Sequence, residues 1–270
     1  MERKMHRFPA DDHCARVPAT FKFINGDDFT TVKPYYYGGR LQPGQEHLRT
    51  NLTYNRVAGI EVSNVRSIKE SFDLEAHGIQ FFRATGAVEE LPSTSEALND
   101  YLAALAEWIR QSLGADKVIV YDYAFRRSVL ETGKPEVTTA LGSTVLETAQ
   151  PAEIPHVDQT RENGLRRAMR HLTDSEREKY LNSSNKRIRI LNVWRPLSPV
   201  VDNWPLAFCD PSTVCADDLI RVDRLRPTYA GEVYYLQHTP AQRWYYLGQQ
   251  TSAEITVFSG FDTHPGEGPP

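Results

Sequence analysis

The clearest helical pattern in the chain lies between residues 93 and 114, where apolar side chains recur every three or four positions. This spacing predicts one helix with a single apolar stripe. Ser93 is followed three residues later by Glu96, which is the spacing of a capping box, and Gly114 marks the end of the helix. The stripe consists of Leu98, Tyr101, Leu102, Leu105, Trp108, Ile109 and Leu113.

From Lys186 onward the pattern changes to short segments rich in β-branched and aromatic residues, separated by turns that contain Pro, Gly and Asp. Several short strands at roughly even spacing favour a β-sandwich or barrel. No linker-like sequence separates this half from the first, so we expect one domain over residues 1–270. Its predicted fold belongs to the α+β class, with a double-stranded β-helix (jelly-roll) core and flanking helices. The segments are "RIRILNVWRPL", "WPLAFCD", "GEVYYLQ", "RWYYLGQ" and "AEITVFSGF".

Three further segments complete the predicted elements. Residues 117–125, "KVIVYDYAF", have the composition of a buried strand. Residues 131–152 have the composition of a loop. The segment 160–180 predicts two polar surface helices, and Thr173 with Glu176 has capping-box spacing at the start of the second helix.

Charge and cysteine content argue against several classes of function. The chain carries 31 basic and 35 acidic residues with a net charge of −4, and neither sign forms a long block. We therefore expect a small-molecule substrate, with no nucleic-acid or membrane partner. Cys14, Cys209 and Cys215 lack the close pairs of a zinc ribbon or a disulfide scaffold, which fits a reducing compartment. Since no signal peptide and no apolar window of ~20 residues is visible, we predict a cytosolic protein.

The candidate chemistry begins at "EIPHVDQT", residues 153–160, where His156 and Asp158 are two positions apart. Side chains two apart on an extended segment point to the same side, so this imidazole and this carboxylate can bind one metal. A further histidine from a distant strand would complete the 2-His-1-carboxylate triad of non-haem iron(II) oxygenases, which leaves coordination positions open. The spacing alone fits a surface pair without a metal equally well.

The segment "LNVWRPL" supplies the next candidates, Asn192 and Arg195. Arg195 follows a predicted strand in which polar and apolar residues alternate. Its planar guanidinium suits bidentate binding of a dicarboxylate in a way that a lysine does not. The alternative is that Arg195 pairs with a nearby acid such as Asp202 or Asp210.

Aromatic residues near these strands are candidates for a substrate pocket. Trp194 stands between Asn192 and Arg195, and Tyr245 lies in the run Trp244–Tyr246. We predict that Trp194 and Tyr245 line the pocket. Such aromatic runs also pack in hydrophobic cores, which stays the alternative for this cluster.

Several motifs, taken together and in order, resemble one known family. "HVDQT" is followed by "GLRR", then by "LNVWRPL" and "PLAFCD", and then by "GEVYYL" and "RWYYL". The combination is similar to the gibberellin-desaturase-like and AsaB-type family of hydroxylases and desaturases, which includes CmcJ-like proteins often labelled methyltransferases. The resemblance runs from about Asn51 to the last predicted strand. No glycine-rich loop after a strand supports a methyltransferase.

The resemblance implies an oxidoreductase of the iron(II)- and 2-oxoglutarate-dependent dioxygenase type. Such an enzyme would hydroxylate or desaturate a small secondary metabolite. His156 and Asp158 would then bind Fe(II). Asn192 and Arg195 match the family's "NVWRP" motif, and we assign both residues to the cosubstrate 2-oxoglutarate.

The third metal ligand is the open part of this prediction. His264 follows the last apolar segment and is the predicted ligand, while His238, at a turn between two strands, is the other late histidine. The resemblance also implies a later histidine segment and a last strand. Neither follows His264, so we expect the C-terminal end to be truncated and the last strands to be missing.

Two other classes of function compete with this enzyme. If the triad is incomplete, a non-catalytic or degenerate jelly-roll that binds a small molecule or a partner enzyme stays open as the alternative. A hydrolase that uses His156 and Asp158 on another metal lacks the extra His and Asp cluster that two-metal sites need.

Overall fold

The computed structural model describes residues 8–9, 14–26, 29, 31–92, 94–128, 138–141, 144–181 and 186–264. Within these ranges the α-helices are α1 (Leu74–His77), α2 (Ser95–Ser112), α3 (Arg161–Met169) and α4 (Asp174–Leu181). The strands are β1 (Arg16–Ile24), β2 (Tyr35–Tyr37), β3 (Tyr54–Asn64), β4 (Ile79–Arg83), β5 (Phe125–Arg126), β6 (Thr138–Leu141), β7 (Thr144–Ala149), β8 (His156–Val157), β9 (Arg189–Trp194), β10 (Ala207–Cys209), β11 (Leu219–Arg226), β12 (Tyr229–Leu236), β13 (Trp244–Tyr246) and β14 (Glu254–Asp262).

In the described part of the chain these strands form four sheets. Two four-stranded sheets have the orders β1-β3-β13-β10 and β2-β11-β12-β8. The three-stranded sheets have the orders β4-β14-β9 and β5-β7-β6. The strands predicted from Lys186 onward are confirmed, since β9, β10 and β13 lie within the predicted segments and β12 and β14 overlap most of theirs. The first half also contributes two long strands, β1 and β3, which pair with each other.

Apolar side chains join the two four-stranded sheets. Phe23 of β1, Val62 of β3, Leu236 of β12 and Trp244 of β13 are buried in one cluster. Each fully buried aliphatic or aromatic side chain contributes about 1.5–3 kcal/mol to folding. The same alternation of β-branched and aromatic residues that predicts the strands therefore also holds the sheets together.

Helix α2 packs its apolar stripe on one face of the β4-β14-β9 sheet. Leu105 and Ile109 are buried there against β14. The predicted helix is thus confirmed, but the described cap is Thr94, whose Oγ1 accepts a hydrogen bond from Ala97 N at 3.1 Å. Ser93 lies outside the described residues.

The buried strand predicted over residues 117–125 is wrong. This segment is irregular until β5 begins, and Ile119, Val120 and Tyr123 are exposed. β-branched and aromatic residues form strands where a neighbouring strand accepts and donates hydrogen bonds. Within the described residues, this stretch has such a partner only at β5, which pairs with β7.

The loop predicted over residues 131–152 is also wrong in part. Strands β6 and β7 lie in this range and pair with each other. Residues 131–137 and 142–143 lie outside the described residues. The hairpin has threonine, leucine and valine in its strands, which suit paired strands.

The two polar helices predicted over residues 160–180 are confirmed as α3 and α4. The predicted capping box of α4 is present. Thr173 N donates to Glu176 Oε2 at 2.9 Å, and Glu176 N donates to Thr173 Oγ1 at 3.4 Å. The two reciprocal bonds satisfy backbone groups that a helix start otherwise leaves unpaired.

The segment that carries the His-x-Asp pair is attached to β12. Strand β8 pairs antiparallel with β12. Just before β8, Pro155 O accepts a hydrogen bond from Leu236 N at 3.0 Å. Just after it, Thr160 N donates to Glu232 O at 3.2 Å. The backbone around His156 is therefore held at both ends.

Helix α3 begins directly after this segment and lies close to β14. Thr160 Oγ1 accepts a hydrogen bond from Asn163 N at 3.2 Å and so caps the helix. A Cβ atom at Gly164 would lie 2.2 Å from a ring carbon of Phe261. Because any larger residue would force the helix or the ring to move, Gly164 sets the distance between α3 and the sheet.

A buried ion pair fixes the start of β14. The carboxylate of Glu254 accepts hydrogen bonds from Arg66, from Lys69 Nζ at 2.7 Å and from Thr251 N at 3.0 Å. Burial acts to raise the pKa of Glu254, but the hydrogen bonds from Arg66 and Lys69 outweigh it and hold this pKa at about 2. The ionised carboxylate therefore stabilises the folded state.

We predict that Glu254→Gln lowers the free energy of unfolding by roughly 2 kcal/mol near pH 7, because two cations lose their buried partner. A depressed folded-state pKa contributes stability above the ordinary value of 4.5, and this stability is lost as the pH falls toward about 2. The difference in unfolding temperature between wild type and variant should therefore shrink over that range. The matched control is Glu70→Gln, at an exposed carboxylate near Lys69. Equal decreases in the free energy of unfolding for Glu254→Gln and Glu70→Gln would contradict the stabilising role of the Glu254 carboxylate.

Candidate functional site

A cleft of 2370 Å³ runs along β8, β9 and β14. Most of the residues predicted for the site line this cleft, and Tyr245 is the exception. The lining residues among the predicted ones are His156, Asp158, Asn192, Trp194, Arg195 and His264.

His156 and Asp158 face each other in the cleft, as the alternation along a strand predicts. His156 Nε2 lies 3.3 Å from Asp158 Oδ1, and the side chains are 30% and 43% exposed. The other nitrogen, His156 Nδ1, lies 2.6 Å from Ile154 O, and a carbonyl only accepts hydrogen bonds. The proton therefore sits on Nδ1, which directs Nε2 to the cleft.

The second carboxylate oxygen of Asp158 is held by a side chain of another sheet. Asn192 Nδ2, on β9, donates to Asp158 Oδ2 at 2.7 Å. Each of the two candidate ligands thus has one atom bound within the protein and one atom facing the other ligand. Those facing atoms are Nε2 of His156 and Oδ1 of Asp158.

The pKa values of the two groups shift toward the charged pair. Burial lowers the pKa of His156, but the hydrogen bond and the charge of Asp158 outweigh it, so this pKa is raised. Burial raises the pKa of Asp158, but hydrogen bonds from His156 and Asn192 and the charge of His156 hold this pKa below its usual value. The lowered pKa of Asp158 favours the ionised carboxylate, which is the form that binds a metal.

The donor set of this pair fits a divalent metal such as Fe(II). An imidazole nitrogen and a carboxylate oxygen are ligands of non-haem iron(II) sites. Neighbouring ligand atoms in an octahedral site with bonds of about 2.1 Å lie about 3 Å apart. The separation of 3.3 Å between Nε2 and Oδ1 is close to this distance. The two residues can therefore occupy adjacent positions on one ion.

Among the residues that the structure describes, no third ligand is placed with this pair. Within the described residues, no group of three His, Cys, Asp or Glu side chains is placed to hold a metal ion. His264 lines the cleft, but its Nδ1 lies 3.1 Å from Thr263 Oγ1 and its backbone N donates to Asp262. The ring of His238 packs 5.0 Å from that of Phe23. The role of His264 stays a prediction.

The structure gives Arg195 a structural role in place of the predicted role in cosubstrate binding. Its Nε donates to Ser252 O at 2.6 Å, and its Nη2 donates to Glu89 O at 2.7 Å. Its Nη1 donates to Val88 O and to Tyr101 OH. Four donor hydrogens are thus used within the protein, and the guanidinium joins the end of β9 to α2 and its preceding turn. The sequence does not reveal these backbone acceptors.

The prediction that Tyr245 lines the substrate pocket is wrong. Tyr245 is 3% exposed and its ring centroid lies 5.0 Å from that of Phe8 in a hydrophobic core. The next residue, Tyr246, is half-buried and lines the cleft instead, because successive side chains of a strand point to opposite faces. Trp194 lines the cleft, and its role in a substrate pocket stays a prediction.

Arg126 and Tyr121 line the cleft and were not predicted as site residues. The positive charge of Arg126 acts on both His156 and Asp158, whose pKa values it lowers. Burial, with a smaller contribution from the charge of Asp158, raises the pKa of Tyr121. Both residues lie in or beside the segment that was predicted as a buried strand, and its apolar composition gave no signal that it borders a cleft.

Comparison with known proteins places the chain in a family. The model of the family described as YDMC, oxidoreductase/YMDC permease-like domain, matches residues 21–268. The chain belongs to this family. None of the helices in the described ranges is both long and apolar enough to cross a membrane.

The relatives confirm the resemblance found in the sequence motifs. Fe(II)/2-oxoglutarate-dependent dioxygenase nvfI of Aspergillus novofumigatus is 29% identical over 243 residues, which cover 87% of this chain and 80% of the relative. Hydroxylase/desaturase CTB9 of Cercospora beticola is 26% identical, and the match covers 76% of this chain and 65% of CTB9. The gibberellin cluster GA4 desaturase of Gibberella fujikuroi is 22% identical, with coverage of 88% and 85%.

A solved structure has the same fold. The iron and alpha-ketoglutarate-dependent endoperoxidase NvfI superposes with a TM-score of 0.75 and 26% sequence identity. The match covers 94% of this chain and 87% of the NvfI chain. The architecture of this family member is therefore that of a solved oxygenase over nearly its whole length.

We predict that Arg195→Lys lowers the free energy of unfolding by about 2 kcal/mol. A lysine ammonium cannot span acceptors on three separate segments, so backbone carbonyls lose their donors. Chemical denaturation measures the change. Arg40→Lys, at an exposed arginine, is the matched control and should stay within about 0.5 kcal/mol of wild type. A stability of Arg195→Lys equal to that of the control would contradict the structural role.

Proposed function

We propose that this chain is an iron(II)- and 2-oxoglutarate-dependent oxygenase that hydroxylates or desaturates a small organic molecule, as a step in secondary metabolism. One observation carries the proposal. His156 Nε2 and Asp158 Oδ1 face each other at 3.3 Å in the cleft of a chain that shares its fold with NvfI. The names of the relatives, which include dioxygenases and hydroxylase/desaturases, support the same class.

The finer description of the fold is part of this proposal. The two four-stranded sheets and the β4-β14-β9 sheet are the strands of a jelly-roll core, with α2 and α3 outside it. We take residues 1–270 as one dioxygenase-like domain of a cytosolic protein. The similarity to NvfI over 94% of the chain supports this description.

His156 and Asp158 would hold the iron through Nε2 and Oδ1. Iron(II) with 2-oxoglutarate and oxygen supplies the oxidising chemistry that removes hydrogen from an unactivated carbon. The protein fixes the imidazole through Ile154 O and the carboxylate through Asn192. Trp194 forms part of the cleft wall, where an apolar substrate would be shielded from water.

The cosubstrate needs positive charge for its carboxylates, and Arg195 is already used within the protein. Arg126 lines the same cleft and acts electrostatically on both candidate ligands. Within the described residues, its guanidinium donates one hydrogen bond, from Nη1 to Gln150 O at 2.8 Å. Arg126 therefore replaces Arg195 as the proposed partner of a carboxylate.

His264 remains the proposed third ligand, since it lines the cleft with the other two. A second candidate function is a non-catalytic protein of the same fold that binds a small molecule. The specific observation that favours it is that no three-residue metal group occurs within the described part of the chain. Two protein ligands alone fix an open metal site poorly.

Anaerobic titration of the purified chain with Fe(II) and 2-oxoglutarate tests the proposal. We expect the weak visible charge-transfer band of the ternary complex in the wild type. His156→Ala and Asp158→Ala should each lose the band, because removing either ligand weakens metal binding by about 100-fold or more. His264→Ala decides whether the late histidine is a ligand.

His47→Ala, at an exposed histidine, is the matched control and should keep the band. Absence of the band from the wild type at saturating iron would overturn the proposed enzymatic function and favour the non-catalytic protein. A band that persists in His156→Ala would show that iron binds elsewhere.

A further inference from the structure

Asn192 holds the outer oxygen of a candidate metal ligand. Its Nδ2 donates to Asp158 Oδ2 at 2.7 Å, across the gap between β9 and the segment after β8. Asp158 Oδ1 then faces His156 Nε2. We propose that Asn192 is a positioning residue that keeps the Asp158 carboxylate turned so that one oxygen alone faces the metal. This role rests on the proposed function.

An irregularity in the neighbouring strand gives the Asn192 amide its place. In the pairing of β14 with β9, Phe258 lies opposite Asn192 and Ser259 opposite Leu191, and the register then shifts between Ser259 and Phe261. The extra residue is Gly260. A β-bulge of this kind changes the direction of nearby side chains and is common next to active sites.

Gly260 also leaves space for that amide. A Cβ atom added there would lie 3.3 Å from Asn192 Nδ2, which is tighter than nine in ten real Cβ contacts, so the amide would have to shift slightly. The bulge and the absent side chain therefore act together. They let a central residue of β9 reach a carboxylate that directly follows a strand of a different sheet.

A neutral amide is the chemistry that this position requires. A carboxylate at residue 192 would repel Asp158, and an arginine or lysine would compete with the metal for the carboxylate charge. An amide donates one hydrogen bond to one oxygen and adds no charge. Removal of the amide frees the carboxylate to rotate, so both oxygens can approach the metal or turn away from it.

The competing role for Asn192 is the one that the sequence predicted, contact with the cosubstrate. The two roles predict different measurements. A positioning residue affects the affinity for the metal, whereas a cosubstrate contact affects the affinity of the metal-loaded protein for 2-oxoglutarate. Mn(II), which is stable in air, serves as the metal probe for both.

The test is the dissociation constant of Mn(II), measured by electron paramagnetic resonance of the free ion, for wild type, Asn192→Ala and Gly260→Ala. We expect Asn192→Ala to weaken Mn(II) binding by about 10- to 100-fold, the usual loss for an outer partner of a metal ligand. Gly260→Ala keeps the amide but crowds it, so a smaller loss of about 3- to 10-fold is expected. The affinity of the Mn(II)-saturated protein for 2-oxoglutarate should change less than about threefold.

Asn99→Ala, at an exposed asparagine of α2, is the matched control and should bind Mn(II) as wild type does. Unfolding temperatures of all variants separate a folding defect from a loss of metal binding. If Asn192→Ala fails to fold, Gly260→Ala still decides the question. Equal Mn(II) affinity in wild type and the variants, or a loss confined to 2-oxoglutarate, would overturn the positioning role alone. Failure of the wild type to bind Mn(II) would overturn the proposed function as well.

Discussion

Backbone hydrogen bonds between β12 and the segment from Pro155 to Thr160 fix the position of the candidate site. They hold the segment extended, so that His156 and Asp158 emerge on the same side. Helix α3 begins directly after the segment, and Gly164 allows it to pack close to β14. If this attachment to β12 were lost, the two side chains would no longer be held together in the cleft.

Two sheets meet at the site, and each contributes something different. The β2-β11-β12-β8 sheet carries the imidazole and, just beyond β8, the carboxylate. The β4-β14-β9 sheet supplies the amide of Asn192, which binds the carboxylate from the opposite side. The contact between Asn192 and Asp158 therefore depends on the relative position of the two sheets. Similarity in fold to NvfI over nearly the whole chain is consistent with such a shared framework.

Much of the fold could be predicted because its residues carry strong local patterns. The stripe of α2, the capping box at Thr173 and the aromatic strands after Lys186 all lie where the pattern placed them. Residues 117–125 show the limit of such reasoning. Their apolar side chains favour a strand, but pairing depends on a neighbour that composition does not reveal.

The candidate site could likewise be predicted only where it depends on local sequence. The spacing of two between His156 and Asp158 is a local property, and it gave a pair that the structure brings together. The roles of Arg195 and Tyr245 depend on which backbone carbonyls and which face of a strand lie nearby. Such partners are distant in sequence, so a single chain gives no signal for them. The same holds for the contact between Asn192 and Asp158.

In the proposed function, Nε2 of His156 and Oδ1 of Asp158 bind one metal ion. The most direct measurement is a crystal structure of the chain grown with Mn(II), with the ion located from its anomalous scattering. We expect one strong peak about 2.0–2.3 Å from both atoms. We also expect that Asn192 still donates to the other oxygen of Asp158. A peak bound to other residues, or no peak at a saturating concentration of Mn(II), would contradict the claim.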